Sequence, residues 1–301
     1  MILGVIIIII SYLFFSLAFF GDKLVLNGPP NSKLYVFYVG ILNIIVLFFL
    51  PFTTLSSYNT TALFWSVLTA ITTLFGLYTM FVALEKFDAS RVMPTIGALQ
   101  PIFILVLTWV FWGFQSITRM NFLAFVMLLI GSVAISVERK FTVTVHYLLL
   151  TVFSSLMFSL AYIFSKMVFL HVSFFPGIVL MGLCISVFVL VFLFDKNLRA
   201  QVFSKKPALD KKTGIIFLCA QSAGGIANLL QSLAIALVPV SYLAIINSLR
   251  GIQYVFLFII TLFFSYFFPK IMKEDISKKV IAQKIASMLL IIIGLAVLVN
   301  N

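Results

Sequence analysis

Only eight of the 301 residues are acidic, two are histidine and two are cysteine. The acids are Asp22, Glu85, Asp88, Glu138, Asp195, Asp210, Glu274 and Asp275, and each stands at the end of an apolar run or between two runs. Acid–base or metal chemistry needs carboxylates or imidazoles gathered in one place. Glu85 with Asp88 and Glu274 with Asp275 are the close acidic pairs, and neither has a histidine nearby. His146 has no second ligand at metal-binding spacing and His171 is isolated; no metal or other cofactor is expected. Cys184 and Cys219 fall inside apolar runs, so they read as small buried hydrophobes and point to no redox compartment.

Apolar sequence is what the chain has in abundance. It is 63% hydrophobic and 9% charged with mean hydropathy +1.23, too much apolar surface for a soluble core of this size. Ten apolar runs cover roughly residues 2–20, 34–52, 62–84, 92–112, 120–137, 145–168, 175–194, 213–237, 240–266 and 281–299. Each approaches the ~20 residues that carry a helix through a hydrocarbon core about 30 Å thick. The longest polar stretch, from Asp195 to Lys212, is too short for a soluble domain. No basic segment precedes Ile2 and no small-residue cleavage site follows the first run, so that run reads as a retained span and not a signal peptide.

All but three of the 20 basic residues lie in alternate gaps, the first, third, fifth, seventh and ninth. The exceptions are Arg119, Lys166 and Arg250. Short loops rich in Lys and Arg mark the cytoplasmic side, which places both termini on the non-cytoplasmic side of a cell membrane. The net charge of +12 thus belongs to loops that meet anionic lipid headgroups. Nucleic acid is not an expected partner, because the basic residues form no stacking platform with aromatics.

The chain repeats itself. Residues 15–26 and 158–169 share Phe15/Phe158, Ser16/Ser159, Leu17/Leu160, Ala18/Ala161, Lys23/Lys166 and Val25/Val168. Ile130-Gly131 in the fifth run matches Ile293-Gly294 in the tenth. Five spans per copy is an odd number, so the second copy enters the membrane in the opposite sense. The expected fold is all-α and polytopic, with ten transmembrane helices in two inverted five-helix repeats, residues 1–140 and 145–301. Such repeats commonly surround a substrate site near the midplane; a duplication that only builds a symmetric bundle is the other reading.

The segment from Ala83 to Pro94, reading Ala-Leu-Glu-Lys-Phe-Asp-Ala-Ser-Arg-Val-Met-Pro, has a counterpart in Ala234-Ile235-Ala236-Leu237-Val238-Pro239-Val240-Ser241. These turns, with the Lys23 and Lys166 segments, resemble those of the EamA-like members of the drug/metabolite transporter superfamily. The resemblance spans the whole chain through loose motifs and implies two five-helix repeats and transport by alternating access. The family often has Glu where this chain has Gln115, and commonly has basic residues in the gap that here runs uncharged from Thr53 to Thr61. Related small multidrug pumps exchange cationic drugs for protons at a membrane-embedded carboxylate. No run of this chain holds one, so the resemblance implies a small neutral or anionic metabolite, such as an amino acid or related organic acid. The coupling ion is undetermined, and monomer and homodimer both remain open.

Charged and polar groups within the spans single out candidate substrate-binding residues, since ionisable groups at that depth are costly. Arg250 lies near the middle of the ninth run, with Asn247 and Tyr254 at i−3 and i+4 on the same helical face. It reads as a cation for an anionic substrate group or as a structural arginine bonded to carbonyls. Gln221, Gly224, Asn228 and Gln231 form one stripe in the eighth run, reading as a cavity wall or a helix contact. Thr69, Thr72, Gly76 and Thr79 form another in the third run, better suited to packing. Gln100 stands beside Pro101, and Tyr12 and Tyr162 flank the repeated Phe-Ser-Leu-Ala. An enzyme acting on lipid and a structural membrane subunit are the alternatives; enzymatic activity is not expected.

Overall fold

The computed structural model describes residues 2–25, 32–54, 58–87, 89–113, 118–136, 144–203, 211–267 and 278–299. Within them lie twelve α-helices: α1 (Ile2–Val25), α2 (Ser32–Leu42), α3 (Thr60–Lys86), α4 (Ala89–Trp112), α5 (Arg119–Ser136), α6 (Val145–His171), α7 (Phe174–Phe188), α8 (Lys196–Val202), α9 (Lys211–Leu237), α10 (Leu243–Ser248), α11 (Gly251–Phe267) and α12 (Lys278–Val299). Tighter 3₁₀ segments extend α2 through Asn43–Phe52 and α7 through Val189–Phe194, and a third, Val240–Tyr242, leads into α10. No strand occurs among the described residues. Apolar runs of this length leave the backbone no partner in lipid but itself, and only a helix satisfies every N–H and C=O within one segment.

Starts are fixed by side chains. Asn59 Oδ1 accepts from the Ala62 N–H at 2.6 Å, Thr118 Oγ1 from the Asn121 N–H and Thr144 Oγ1 from the Tyr147 N–H, both at 3.2 Å. Each satisfies one of the N–H groups that a helix start leaves without a partner.

Among the described residues, eight helices are long and apolar enough to cross a membrane: Ile2–Asp22, Ser32–Phe52, Thr60–Lys86, Thr95–Trp112, Val145–His171, Phe174–Phe194, Thr213–Leu237 and Val240–Phe264. The expected fifth and tenth spans form α5 and α12, whose described apolar stretches are shorter, Arg119–Gly131 and Ala282–Leu298. The 3₁₀ continuations keep the Ser32–Phe52 and Phe174–Phe194 spans whole despite the change in winding. Outward residues such as Phe48 (80% exposed) and Val110 (71% exposed) are apolar, as a lipid-facing surface requires.

The chain divides into two compact units that each draw on both halves of the sequence. One comprises Met1–Val25, Ala89–Thr142 and Ile216–Asn301, hence α1, α4, α5, most of α9 and α10 to α12. In it α12 packs along α5 through a reciprocal exchange. Ile291 approaches Gly131, and Leu128 approaches Gly294, each bulky residue coming three positions before its own helix's glycine. Gln283 adds a hydrogen bond from Nε2 to the Ala134 carbonyl at 2.8 Å. Close approach also marks α1 and α9, where Gly21 faces Ala220 and the Ser11 hydroxyl donates to the Ala227 carbonyl at 2.8 Å.

The second unit comprises Leu26–Asp88 and Val143–Ile215, with α2, α3 and α6 to α8. Here α3 packs along α6. The Phe158 ring lies over Gly76, and Ser154 Oγ donates to the Gly76 carbonyl at 2.9 Å. Thr69, Thr72 and Thr79 turn their hydroxyls back onto carbonyls of α3 itself, leaving this stripe a packing surface. A second reciprocal exchange joins α2 to α7: Val189 approaches Gly40 while Val46 approaches Gly182. Lys33 pairs with Asp195 at 2.5 Å, and Asp195 Oδ1 caps α8 through the N–H groups of Asn197 and Leu198.

Candidate functional site

The ninth apolar run is not one helix. The amides around Arg250 bond three residues back: Arg250 N–H to the Asn247 carbonyl at 3.0 Å, Ile252 N–H to Leu249 at 2.9 Å and Gln253 N–H to Arg250 at 2.9 Å. Local sequence favours this break. Asn and Ser compete with the backbone for its own hydrogen bonds, and Ser248 Oγ does so, donating to the Ile245 carbonyl at 2.6 Å. Gly251 then opens α11 without a side chain to restrain it.

The break frees a carbonyl. In an uninterrupted α-helix the Ile246 oxygen would take the Arg250 N–H; that amide goes instead to Asn247, one residue nearer. Tyr12 of α1, wholly buried, fills the gap: its hydroxyl lies 3.3 Å from the carbonyl oxygens of both Ile246 and Asn247 and donates to them. Gln231 of α9 and Arg250 both lie close to that hydroxyl.

Arg250 points at α4. Its Nη1 donates to the side-chain oxygen of Gln100, which is 3% exposed. Tyr254, one turn further along α11, donates from its hydroxyl to the Met93 carbonyl at 3.0 Å. Gly97 makes this meeting of α4 and α11 possible. A Cβ there would collide with the Tyr254 hydroxyl and stand 3.1 Å from Cδ of Arg250. Pro101, four residues after Gly97, has no N–H to return to the Gly97 carbonyl.

Several polar atoms of the cluster are buried and, among the described residues, have no hydrogen-bond partner: Nε of Arg250, Nε2 of Gln231, and both Oδ1 and Nδ2 of Asn247. Asn247 is 0% exposed. Side chains three apart eclipse in a 3₁₀ turn, so the Asn247 amide and the Arg250 guanidinium emerge on one side of the break. A fully buried amide with neither end paired is uncommon, because its desolvation costs about 1–3 kcal/mol. These atoms offer three donor nitrogens, one of them the cation's own, and one acceptor oxygen.

Of the nine residues selected from the sequence, six gather in the first unit at this cluster: Tyr12, Gln100, Gln231, Asn247, Arg250 and Tyr254. The polar stripe of α9 divides. Gln221 donates to Asp22 Oδ1 at 3.1 Å, ten residues before Gln231 and hence about 15 Å along the helix. Asn228 is exposed and bonds the Gly224 carbonyl of its own helix at 2.9 Å. Tyr162 is buried on α6 in the second unit, as is Lys166. His146 Nε2 lies 3.0 Å from Lys86 Nζ, and His171 Nδ1 lies 2.7 Å from the Met167 carbonyl. Gln115, Asp88, Glu274 and the loop cations Arg139, Lys140, Lys205, Lys206, Lys270 and Lys273 lie outside the described residues.

Two residues that matter were not selected from sequence. Gly97 had a signal, its position four before a mid-span proline. Gln253, 7% exposed and three residues after Arg250, had one too: it continues the Asn247–Arg250 spacing.

No protein-family model matches the chain, and no curated protein does either. A solved structure described simply as a crystal structure of a protein does match, with TM-score 0.70 and 16% sequence identity. The match covers 98% of this chain and 95% of the other. The fold is therefore one that a solved protein shares nearly from end to end.

Proposed function

We propose that the protein is a secondary transporter that moves a small neutral or anionic metabolite across a membrane by alternating access. The observation that carries this reading is the interrupted helix at Arg250. Discontinuous helices at mid-membrane depth are the usual way for a transporter to present backbone and polar groups to a substrate, and irregular backbone at that depth is tolerated where it lines a cavity or is buried in protein. The interruption falls where an arginine, an amide unpaired among the described residues and two tyrosines converge.

Ten spans in two inverted repeats complete the proposal. The reading is supported by the two reciprocal exchanges of glycine and bulky residue, Gly131 and Gly294 in one unit and Gly40 and Gly182 in the other. A two-fold axis lying between corresponding helices makes each give what it receives. The skew of Lys and Arg towards alternate loops supports a cell-membrane protein with both termini on the non-cytoplasmic side.

The test is flux. Purified protein in lipid vesicles is screened for uptake and efflux of neutral and anionic metabolites, with Arg250→Ala and Arg250→Lys alongside. Loss of a buried charged hydrogen bond commonly costs about 2–5 kcal/mol. Arg250→Ala should therefore abolish transport in a protein that still inserts, and Arg250→Lys, lacking the planar fork, should retain little. Wild-type flux in Arg250→Ala would remove the site, and absence of flux for every metabolite class would remove the transport reading.

A further inference from the structure

We propose that the break between α10 and α11 binds a singly charged carboxylate that carries a hydrogen-bond donor on the adjacent carbon, and that Gln100 holds the place its oxygen takes. The proposal rests on the transport reading and narrows it from neutral or anionic metabolites to one class.

Charge is the first argument. Arg250 is the one cation of the cluster, and the groups around it (Gln100, Gln231, Asn247 and the two tyrosines) are neutral. A phosphate monoester near neutral pH carries a charge between −1 and −2, and at this depth a second negative charge would go uncompensated. A carboxylate brings one charge and two acceptor oxygens in a plane, matched to the planar guanidinium. Nε of Arg250 has no partner, and Nη1 is turned to Gln100. Nε and Nη1 stand on opposite sides of the guanidinium, so the edge for which a carboxylate competes with Gln100 is the Nη1–Nη2 edge, held at one end.

What holds it is the second argument. The side-chain oxygen of Gln100 is a neutral carbonyl acceptor, the weaker counterpart of a carboxylate oxygen at the same donor. An incoming carboxylate makes an ion pair where the amide made a charge-assisted bond to a neutral acceptor, so exchange runs towards the substrate. Gln100 keeps the guanidinium from standing unserved and remains displaceable.

Asn247 supplies the second point of recognition. Its amide is wholly buried, has neither Oδ1 nor Nδ2 bonded among the described residues, and lies in line with Arg250 across the 3₁₀ turn. Nδ2 can add a donor to the carboxylate. Oδ1 is an acceptor, and it requires a substrate O–H or N–H beside the carboxylate. A site with a buried polar group of this kind rejects analogues that leave it unpaired.

The experiment measures thermal stabilisation of the purified full chain in lipid nanodiscs. The probes are 2-hydroxy monocarboxylates of three to six carbons, the parent acids without the hydroxyl, the corresponding amides, and inorganic phosphate. Stabilisation should follow 2-hydroxy acid above parent acid, with none from amides or phosphate. Gln100→Ala should tighten carboxylate binding about tenfold, the value of one hydrogen bond to a charged group. Gln100→Glu should abolish it, its own carboxylate occupying the arginine. Asn247→Leu should erase the preference for the hydroxyl while leaving parent-acid binding. Size-exclusion profiles and helical content establish that each variant is folded, and Arg250→Lys serves as a second, charge-conserving test of the cation. Stabilisation by phosphate or by the amides, no response to any carboxylate, or unchanged affinity in Gln100→Ala overturns the proposal. Carboxylate binding without vesicle flux would refute transport and leave the site standing. Flux of a substrate that no carboxylate competes with would do the reverse.

Discussion

Gly131 and Gly294 occupy matching places in α5 and α12, yet alanine at the two should not cost the same. At Gly131 the new Cβ would stand 2.6 Å from Cγ1 of Ile291, 3.2 Å from the Ser287 carbonyl oxygen and 3.3 Å from the Ile291 nitrogen. A side chain can turn aside, whereas two backbone atoms of α12 cannot, so the helices must separate. At Gly294 the three nearest atoms belong to side chains and none comes closer than 3.0 Å: Cγ of Leu128 at 3.0 Å, Cβ of Met127 at 3.2 Å and Cδ2 of Leu128 at 3.3 Å. Overpacking costs about 1–3 kcal/mol, offset by roughly 1 kcal/mol from replacing glycine in a helix. Gly131→Ala takes the upper part of that range and loses about 1–2 kcal/mol net; Gly294→Ala comes out near zero. Reversible unfolding of the two variants in mixed micelles, followed by tryptophan fluorescence or helical content, measures both. A double-mutant cycle with Ile291→Ala should show coupling at Gly131, because it relieves the 2.6 Å contact, but incomplete rescue, because the backbone contacts remain. A neutral Gly131→Ala, or a Gly294→Ala at least as damaging, would refute the packing argument.

Tyr12→Phe removes the hydroxyl that serves the Ile246 and Asn247 carbonyls; since Asn247 keeps the Arg250 N–H, one buried acceptor is orphaned and stability should fall by about 1–2 kcal/mol in the same unfolding assay. Topology is read by single-cysteine labelling of intact cells at Ser204, beside the loop cations Lys205 to Lys212: the charge bias requires protection from an impermeant reagent, and strong labelling would reverse the orientation. The Lys33 ammonium, with the Leu198 N–H, holds the Asp195 carboxyl below the usual carboxylate range. A lowered folded value means the pair stabilises above the unfolded value, about pH 4, and loses that contribution as pH falls through the folded one. The stability difference between wild type and Asp195→Asn should therefore be constant above about pH 5, shrink on acidification, and diminish in high salt; a difference that grows in acid would contradict it.

Helix class and the lipid-facing surface were legible from hydropathy because a membrane leaves so few alternatives. Depth singled out Arg250 for the same reason: a charge at least ten residues from either end of an apolar run must be accommodated by something. What hydropathy does not register is winding. The run from Val240 to Tyr266 is uninterrupted in composition, and its division at Leu249 and Arg250 depends on hydrogen bonds made one residue short. The stripe on α9 shows the complementary gap. Spacing puts Gln221, Asn228 and Gln231 on one face, but what stands opposite each residue decides its role: Asp22 meets Gln221, Asn228 turns to its own helix, and Gln231 lies near the Tyr12 hydroxyl.

The partner of Arg250 carries no charge. None of the eight acids falls inside an apolar run, and the group that takes the arginine's Nη1 is an amide oxygen on α4. Neutrality there has a consequence for exchange. Breaking a buried ion pair costs about 3–5 kcal/mol, so a carboxylate in place of Gln100 would hold the arginine against an incoming anion. Gln100 satisfies the donor with a weaker acceptor. On the proposed reading an anionic substrate competes for that donor, and scarcity of acid is then a condition for the arginine to remain exchangeable.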